Sequence, residues 1–286
     1  MKFSAAIPPV DTRAQRGGRR AFTLVELLLV ISILGVLAAL VLPALGSTGK
    51  SNAAVSASRQ LLDDVGRARQ LAITHRTTVY MVFVSTNYWL PPYVTSPAFT
   101  NTFTAGQMDS LVSLIARQLT GYTFIAQGAL GDQPGSHSWQ YLAPWQALPE
   151  NNYIAGWKFQ PSTVPTLVGT GAQQFTVHPF NFTNSIPFPD GTVSASRPTV
   201  PYIAFNYLGQ LTRDGVNPAP ADEYIPLAQG SVGYGYDGST KLPRLAQVAP
   251  GDVTENPSGN SVGSMFTLVH IDALTGRARL EFQNVQ

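Results

Sequence analysis

The most regular hydrophobic pattern in the chain is an uncharged apolar run near its start. From Leu27 to Leu45, 19 consecutive residues carry no charge. At about 1.5 Å per residue, a helix of this length spans roughly 28 Å, which is enough to cross the hydrocarbon core of a bilayer. The run therefore predicts a membrane-spanning helix.

Beyond this run, the hydrophobic positions return with a helical period. Between residues 52 and 75, hydrophobic or small residues recur mostly at steps of three and four, at Val55, Ser58, Leu61, Leu62, Val65, Ala68 and Ala72. This spacing predicts the buried face of an amphipathic helix, which continues the first helix after a stretch weakened by Gly46 and Gly49. The following residues, 77–84, are rich in β-branched and aromatic side chains and predict a strand on which the helix docks.

Near the end of the chain, the period changes to two. Ala278, Leu280 and Phe282 alternate with Arg277, Arg279 and Glu281, so one face of this strand is apolar and the other is charged. The preceding run, residues 265–271, is largely apolar on both faces and predicts a more interior strand. Gly276 suits the turn between the two strands, where a positive φ is often needed.

The middle of the chain, about residues 86–200, has little charge and many prolines, which favours loops and short strands. One helix is predicted at Met108–Leu119. An aromatic-rich stretch contains Trp139, Tyr141, Trp145, Tyr153 and Trp157. Two hypotheses account for it: a platform for a ligand or carbohydrate, and a hydrophobic cluster that fastens a long loop. We favour the second.

Composition excludes several kinds of site, and the distribution of charge predicts the orientation of the chain in a membrane. The chain has no cysteine, which excludes disulfide scaffolds, zinc–thiolate sites and cysteine nucleophiles. The net charge of +2 hides a basic leader: residues 1–21 hold five basic residues and one acidic residue, so the remainder carries −2. A basic flank before an apolar run predicts a cytoplasmic N-terminus, with the rest of the chain beyond the membrane.

The junction of leader and apolar run carries a recognisable motif. Residues 19–30 read RRAFTLVELLLV, which resembles the leader of type IV pilins and type II secretion pseudopilins. In that family a prepilin peptidase cuts before a Phe and methylates the new amine. The resemblance implies cleavage between Ala21 and Phe22, with Glu26 as the family's acidic fifth residue and Pro43 at a common kink position. Ala21 departs from the family, which normally has Gly before the cut.

The resemblance implies an α+β pilin-like fold, in which a long, kinked N-terminal helix packs on an antiparallel sheet. The expected parts are a cleaved leader (1–21), a transmembrane and assembly helix (22–46) and an exterior domain (47–286) with a large Pro- and aromatic-rich insertion (86–200). Residues 67–84, 202–209 and 269–281 are similar to the minor pseudopilin branch of the GspH/FimT type.

The resemblance also implies a function. A structural minor pilin or pseudopilin of a type II secretion pseudopilus or a type IV pilus would be a single-pass protein of the bacterial inner membrane, with a periplasmic domain. Its partners would be the prepilin peptidase, other pilin subunits, the inner-membrane assembly platform and, before assembly, membrane lipid. Secretion, adhesion, motility and DNA uptake all stay open as the purpose of the filament.

Glu26 has two interpretations. A carboxylate within a membrane segment usually has a partner, and the free amine of a neighbouring subunit's Phe22 would supply the opposite charge and fix the register between helices. Alternatively, Glu26 lies at headgroup level at a helix N-terminus, where negative charge is favoured.

Signals for catalysis and cofactors are weak. The four histidines show no metal-ligand spacing, and no nucleophile elbow or phosphate loop is present. We therefore expect neither an enzyme nor a cofactor. Calcium is the one metal considered, at a cluster comprising Asp214, Asn217, Asp222 and Glu223.

Two alternatives to the structural subunit are retained. One is a membrane-anchored or exported binding protein or enzyme with a prepilin-like leader, which includes ordinary secretion with cleavage near Ala38 or Ala44. The other is a DNA-uptake minor pilin with Arg277 and Arg279 as the nucleic-acid contacts. The negative charge of the mature chain argues against nucleic acid, because such binding needs a basic face.

Overall fold

The computed structural model describes residues 23–94, 103–128, 138–193, 198–240, 245, 253–263 and 266–282, and only the helical backbone of residues 40–52. The chain divides into two compact units, the first ending at Gly49 and the second beginning at Lys50.

Two α-helices and fourteen strands make up the described regular structure. The helices are α1 (Leu24–His75) and α2 (Ala105–Ser113). The strands are β1 (Val79–Phe83), β2 (Gly121–Gln127), β3 (Trp139–Tyr141), β4 (Gln146–Ala147), β5 (Asn152–Ile154), β6 (Thr166–Thr170), β7 (Gln173–Val177), β8 (Asn181–Thr183), β9 (Val200–Phe205), β10 (Leu211–Thr212), β11 (Glu223–Val232), β12 (Val253–Glu255), β13 (Thr267–Ile271) and β14 (Ala278–Phe282).

Helix α1 contains the predicted amphipathic segment, and its backbone is helical across Gly46 and Gly49. In the second unit its buried face comprises Ala57, Leu61, Val65, Ala68 and Ala72, each with no exposed surface. Val55 was predicted on this face, but it is 47% exposed. This face packs into the largest hydrophobic core with residues of β1, β2, β9, β11 and β13. The α+β architecture of a helix on antiparallel sheets is thereby confirmed and is consistent with a pilin-like fold.

The first sheet is seven-stranded and antiparallel, in the order β10-β9-β1-β2-β3, with β4 paired to β2 and β8 paired to β9. Its central strand β1 is the strand predicted at residues 77–84. Met81 and Phe83 of β1 join the core shared with α1, while Val82 belongs to a second core that includes residues of α2. Every residue of β1 is buried, because the sheet is covered on both faces.

The second sheet has the order β12-β11-β13-β14, with β5 also paired to β11. The predicted C-terminal hairpin is β13–β14, with Val269 opposite Leu280. The preceding run is the interior strand of the two, as predicted. Ala278 and Leu280 pack against the core, whereas Phe282 at the strand's end is half exposed. A separate two-stranded ribbon, β6–β7, completes the described strands.

The predicted insertion is built into the fold and supplies strands to both sheets. Strands β2, β3, β4 and β8 join the first sheet, and β5 joins the second. The helix predicted at Met108–Leu119 begins earlier, at Ala105, because Thr104 and Gln107 form a reciprocal capping box. It also ends earlier, at Ser113, and a short 3₁₀ turn (Ile115–Arg117) follows.

Candidate assembly site on the N-terminal helix

The start of α1 explains the local position of Glu26. Thr23 precedes the helix, and its side-chain Oγ1 accepts a hydrogen bond from the backbone N–H of Glu26 at 3.2 Å. Glu26 is therefore the third residue of the helix, where a carboxylate interacts favourably with the positive end of the helix dipole. This geometry matches the placement of Glu26 at a helix N-terminus.

The helix surface around Glu26 is apolar on every side. Between Leu24 and Leu37, the large hydrophobic side chains are 45–79% exposed in the isolated chain. Glu26 is the one charged residue from Leu24 to Ala39. Contiguous exposed apolar surface of this extent marks contact with lipid or with other protein chains.

The rest of the predicted assembly segment is described only in part. Ala21 and Phe22 lie outside the described residues, and at Pro43 only the helical backbone is described. The cleavage, the methylation and the kink therefore stay predictions. A search of the described residues for a helix both long and apolar enough to span a bilayer finds none.

Comparison with known proteins identifies this segment. Residues 16–42 match the family model of the prokaryotic N-terminal methylation motif. The motif places the chain in the type IV pilin and pseudopilin superfamily. The motif suggests an exported, pilin-like protein, and it implies processing by prepilin peptidase and anchoring in the inner membrane through the N-terminal segment. No curated protein and no solved structure matches the chain.

The two arginines considered for nucleic acid have different surroundings in this pilin-like protein. Arg279 is exposed, but its Nε donates to Glu281 Oε1 at 2.7 Å. Arg277 is exposed and follows the turn at Gly276. The strand face therefore presents one arginine engaged in an ion pair and one that extends from a turn.

The four residues considered for calcium have separate roles. The Asp214 carboxylate accepts hydrogen bonds from Asn217 Nδ2 and from the backbone N–H groups of Val216 and Asn217. These bonds hold the pKa of Asp214 well below its usual range. Glu223 pairs with the ammonium of Lys158, and Asp222 Oδ2 lies 2.8 Å from Nε2 of His270. Among the described residues, no group of three or more His, Cys, Asp or Glu side chains is arranged to hold a metal.

The structure contains a buried ion pair that the sequence did not predict. Lys158 lies in the 3₁₀ turn Gly156–Phe159, and its ammonium bonds to the carboxylate of Glu223, the first residue of β11. The ammonium also donates to the carbonyl of His178 and lies 4.7 Å from the ring centroid of Phe180. Burial lowers the pKa of Lys158, and the attraction of Glu223 opposes this shift. No signal in the sequence links residues 65 positions apart.

His270 is a structural histidine, as expected for a residue alternating within a strand. Its Nε2 lies 2.8 Å from Asp222 Oδ2, and its Nδ1 lies 3.1 Å from Glu281 Oε1. The ring also stacks on Tyr224 with centroids 4.4 Å apart. These contacts connect β13 to β14 and to the segment that precedes β11.

The aromatic-rich stretch does not form one platform, in agreement with the favoured hypothesis. Tyr153 is buried in the core shared with α1, and Trp157 packs in a small third core. Trp139, Tyr141 and Trp145 pack against the second core, around α2. The stretch thus fastens the middle of the chain to three separate cores.

Proposed function

We propose that this chain is a minor pilin or pseudopilin of the GspH/FimT type, a structural subunit of a type II secretion pseudopilus or a type IV pilus. Its mechanism is assembly rather than enzymatic turnover. The leader (1–21) is removed by cleavage between Ala21 and Phe22, and the new amine is methylated. The helix (22–46) then moves from the bilayer into the filament core, leaving the domain (47–286) on the outside.

The observation that carries this proposal is the helix surface at the start of α1. Apolar side chains from Leu24 to Leu37 are exposed, and one carboxylate, that of Glu26, lies in the first turn. A bundle of such helices buries this apolar surface, and Glu26 is the one charged side chain from Leu24 to Ala39 that is buried with it. The positive amine of a neighbouring Phe22 then compensates the negative charge of Glu26, and this pairing favours one axial register.

The proposed partners follow from this pathway. The prepilin peptidase processes the chain, the inner-membrane assembly platform extracts it, and other pilin or pseudopilin subunits surround it. Membrane lipid covers the apolar helix before assembly. The large middle region extends the common plan and is where specificity for the exterior partner resides, since such segments usually carry it.

Replacement of one side chain tests the assembly role. In the native cell, Glu26→Gln removes the charge and keeps the size, and we expect a processed chain that fails to enter sheared or purified filaments. Ser32→Ala on the same helix is the matched control. The Ser32 hydroxyl bonds to the carbonyl of Leu28 within the helix, so its loss changes no charge. Incorporation of Glu26→Gln at the level of the unaltered chain would contradict the proposal.

A further inference from the structure

A cleft in the exterior domain has the size of a ligand site. It has a volume of about 500 Å³, within the range of small-molecule pockets. Three segments line it: the second half of α2, the loop after β3, and the loop at residues 189–191. All three belong to the middle region, to which the proposed assembly mechanism assigns no contact.

One wall of the cleft is a pair of aromatic rings held in fixed positions. Trp145 is partly exposed, its Nε1 donates to the carbonyl of Pro189 at 2.9 Å, and its ring packs edge-on against Phe188 at 5.6 Å. Arg117 holds the main chain at the same point by donating to the carbonyl of Trp145. Tyr141 donates its hydroxyl to the carbonyl of Pro187 at 2.7 Å. The polar ends of both rings are engaged, so the rings offer the cleft carbon atoms rather than free polar groups.

Polar groups occupy other parts of the lining. Ser110 and Ser113 lie on α2, and Asp190 lies on the facing loop. Asp190 Oδ1 accepts two hydrogen bonds from Thr192, from its N–H at 2.9 Å and its hydroxyl at 2.6 Å. Among the described residues, Asp190 Oδ2 and the Ser110 hydroxyl have no hydrogen-bond partner. The cleft thus retains one strong acceptor and one hydroxyl.

The charge of the lining selects the class of ligand. Asp190 is the one charged residue among the described residues that line the cleft, and the nearby guanidinium of Arg117 is engaged with the carbonyl of Trp145. Phosphorylated, sulfated and nucleic-acid ligands are therefore disfavoured. A sugar ring has an apolar face that packs on an aromatic ring and hydroxyls that donate to a carboxylate.

We infer that this cleft binds a neutral oligosaccharide, with a sugar ring packed on Trp145 and its hydroxyls bonded to Asp190 and Ser110. The inference concerns the exterior domain and does not depend on filament assembly. A site of this kind gives the subunit a means of contacting a glycan from its exposed side.

Titration of the full chain tests this inference. The protein is kept in a zwitterionic detergent without a sugar headgroup, and the probes are cellotetraose, maltotetraose and tri-N-acetylchitotriose. We expect saturable calorimetric binding of at least one probe. Sulfation of that probe weakens binding, because Asp190 repels an anion. Absence of binding by all three probes up to about 10 mM, beyond the millimolar range of weak specific ligands, overturns the inference.

Variants locate the site. Asp190→Asn keeps the shape and weakens binding about tenfold, the usual effect of losing a charged hydrogen bond. Asp237→Asn is the matched control. Asp237 also precedes a glycine, and its Oδ1 accepts hydrogen bonds from the N–H and the hydroxyl of Ser239, two positions on, but it lies outside the cleft.

Trp145→Phe retains a ring and weakens binding less than Trp145→Ala. Equal affinity in the Asp190 and Asp237 variants overturns the inference.

Discussion

The ammonium of Lys158 and the carboxylate of Glu223 form an ion pair whose side chains are 0% and 6% exposed. The pair joins a 3₁₀ turn of the middle region to the first residue of β11. Each charge depends on the other, because a buried charge without a partner is strongly destabilising. This pair therefore fastens the middle region to the second sheet.

Removing either partner of this pair is expected to destabilise the exterior domain. Lys158→Met leaves the Glu223 carboxylate buried without its cation, and Glu223→Gln leaves the ammonium without its anion. We expect each substitution to lower the free energy of unfolding by about 3–5 kcal/mol. Urea denaturation followed by tryptophan fluorescence measures the loss.

The double variant separates the pair from its surroundings. Lys158→Met with Glu223→Leu removes both charges, and we expect it to be more stable than either single variant, since two apolar side chains leave no unpaired charge. Losses that simply add would show that the two residues act independently and would contradict this account.

Gly276 and Gly209 lie in two turns that pack against each other near the C-terminal end of α1. Gly276 has φ of +62°, and a Cβ placed there would lie 2.0 Å from the carbonyl oxygen of Gly209. Gly276→Ala is expected to cost at least about 2 kcal/mol of stability, because neither the backbone conformation nor the space admits a side chain. The shift in thermal midpoint of the purified chain measures this cost.

Gly66 is the matched control for this substitution. It lies on the exposed face of α1, and a Cβ there meets nothing within 4 Å. Gly66→Ala is expected to stabilise the domain by about 0.5–1 kcal/mol, since alanine has the higher helix propensity. A midpoint that is unchanged by Gly276→Ala, or lowered by Gly66→Ala, would argue against the described packing.

Buried tyrosines predict an upper pH limit for the domain. Burial raises the pKa of Tyr80 and of Tyr93 from 10.0 to about 12. The unfolded chain releases these protons near pH 10 and the folded chain only near pH 12, so the stability present below pH 10 is lost as the pH rises between these values. Phenolate absorbance and circular dichroism, recorded together, should show these tyrosines ionising only as the domain unfolds. Their ionisation in a still-folded domain below pH 11 would contradict this prediction.

The local elements of the fold were predictable from the sequence. The buried face of α1 between residues 52 and 75 and the β13–β14 hairpin follow from periods that a single segment contains. Strand β11 escaped prediction, because Pro226 and Gly230 interrupt its pattern. The proline is tolerated because β5 pairs with β11 only from Leu227 onward, so Pro226 lies beyond the end of that strand.

Features of the candidate sites were likewise predictable only where their residues are contiguous in sequence. The methylation motif around Glu26 was predictable, because it is contiguous in sequence; the cut before Phe22 stays a prediction. The Lys158–Glu223 pair and the cleft beside Trp145 were not predictable, since their residues come from distant segments that meet only in the folded chain. Trp145 and the four other aromatic residues of its stretch are close in sequence, but the fold distributes them among three cores.

Ala21 predicts slow processing of the leader. The related leaders normally have Gly before the cut, so Ala21→Gly is expected to raise the rate of cleavage by the prepilin peptidase. A charged residue at the same position, as in Ala21→Lys, is expected to block cleavage. Pulse-chase analysis of the mass change in native membranes compares the three chains. Equal cleavage of all three would show that this position does not control processing.

The N-terminus of the protein in its native membrane tests the central claim most directly. Intact mass and N-terminal sequence should show a chain that begins at N-methylated Phe22, as required for entry into a filament. A chain that begins after residue 38 would indicate ordinary secretion and favour an exported binding protein or enzyme. A chain that still begins at Met1 would be a plain membrane-anchored domain. Either of these two results would contradict the assembly role.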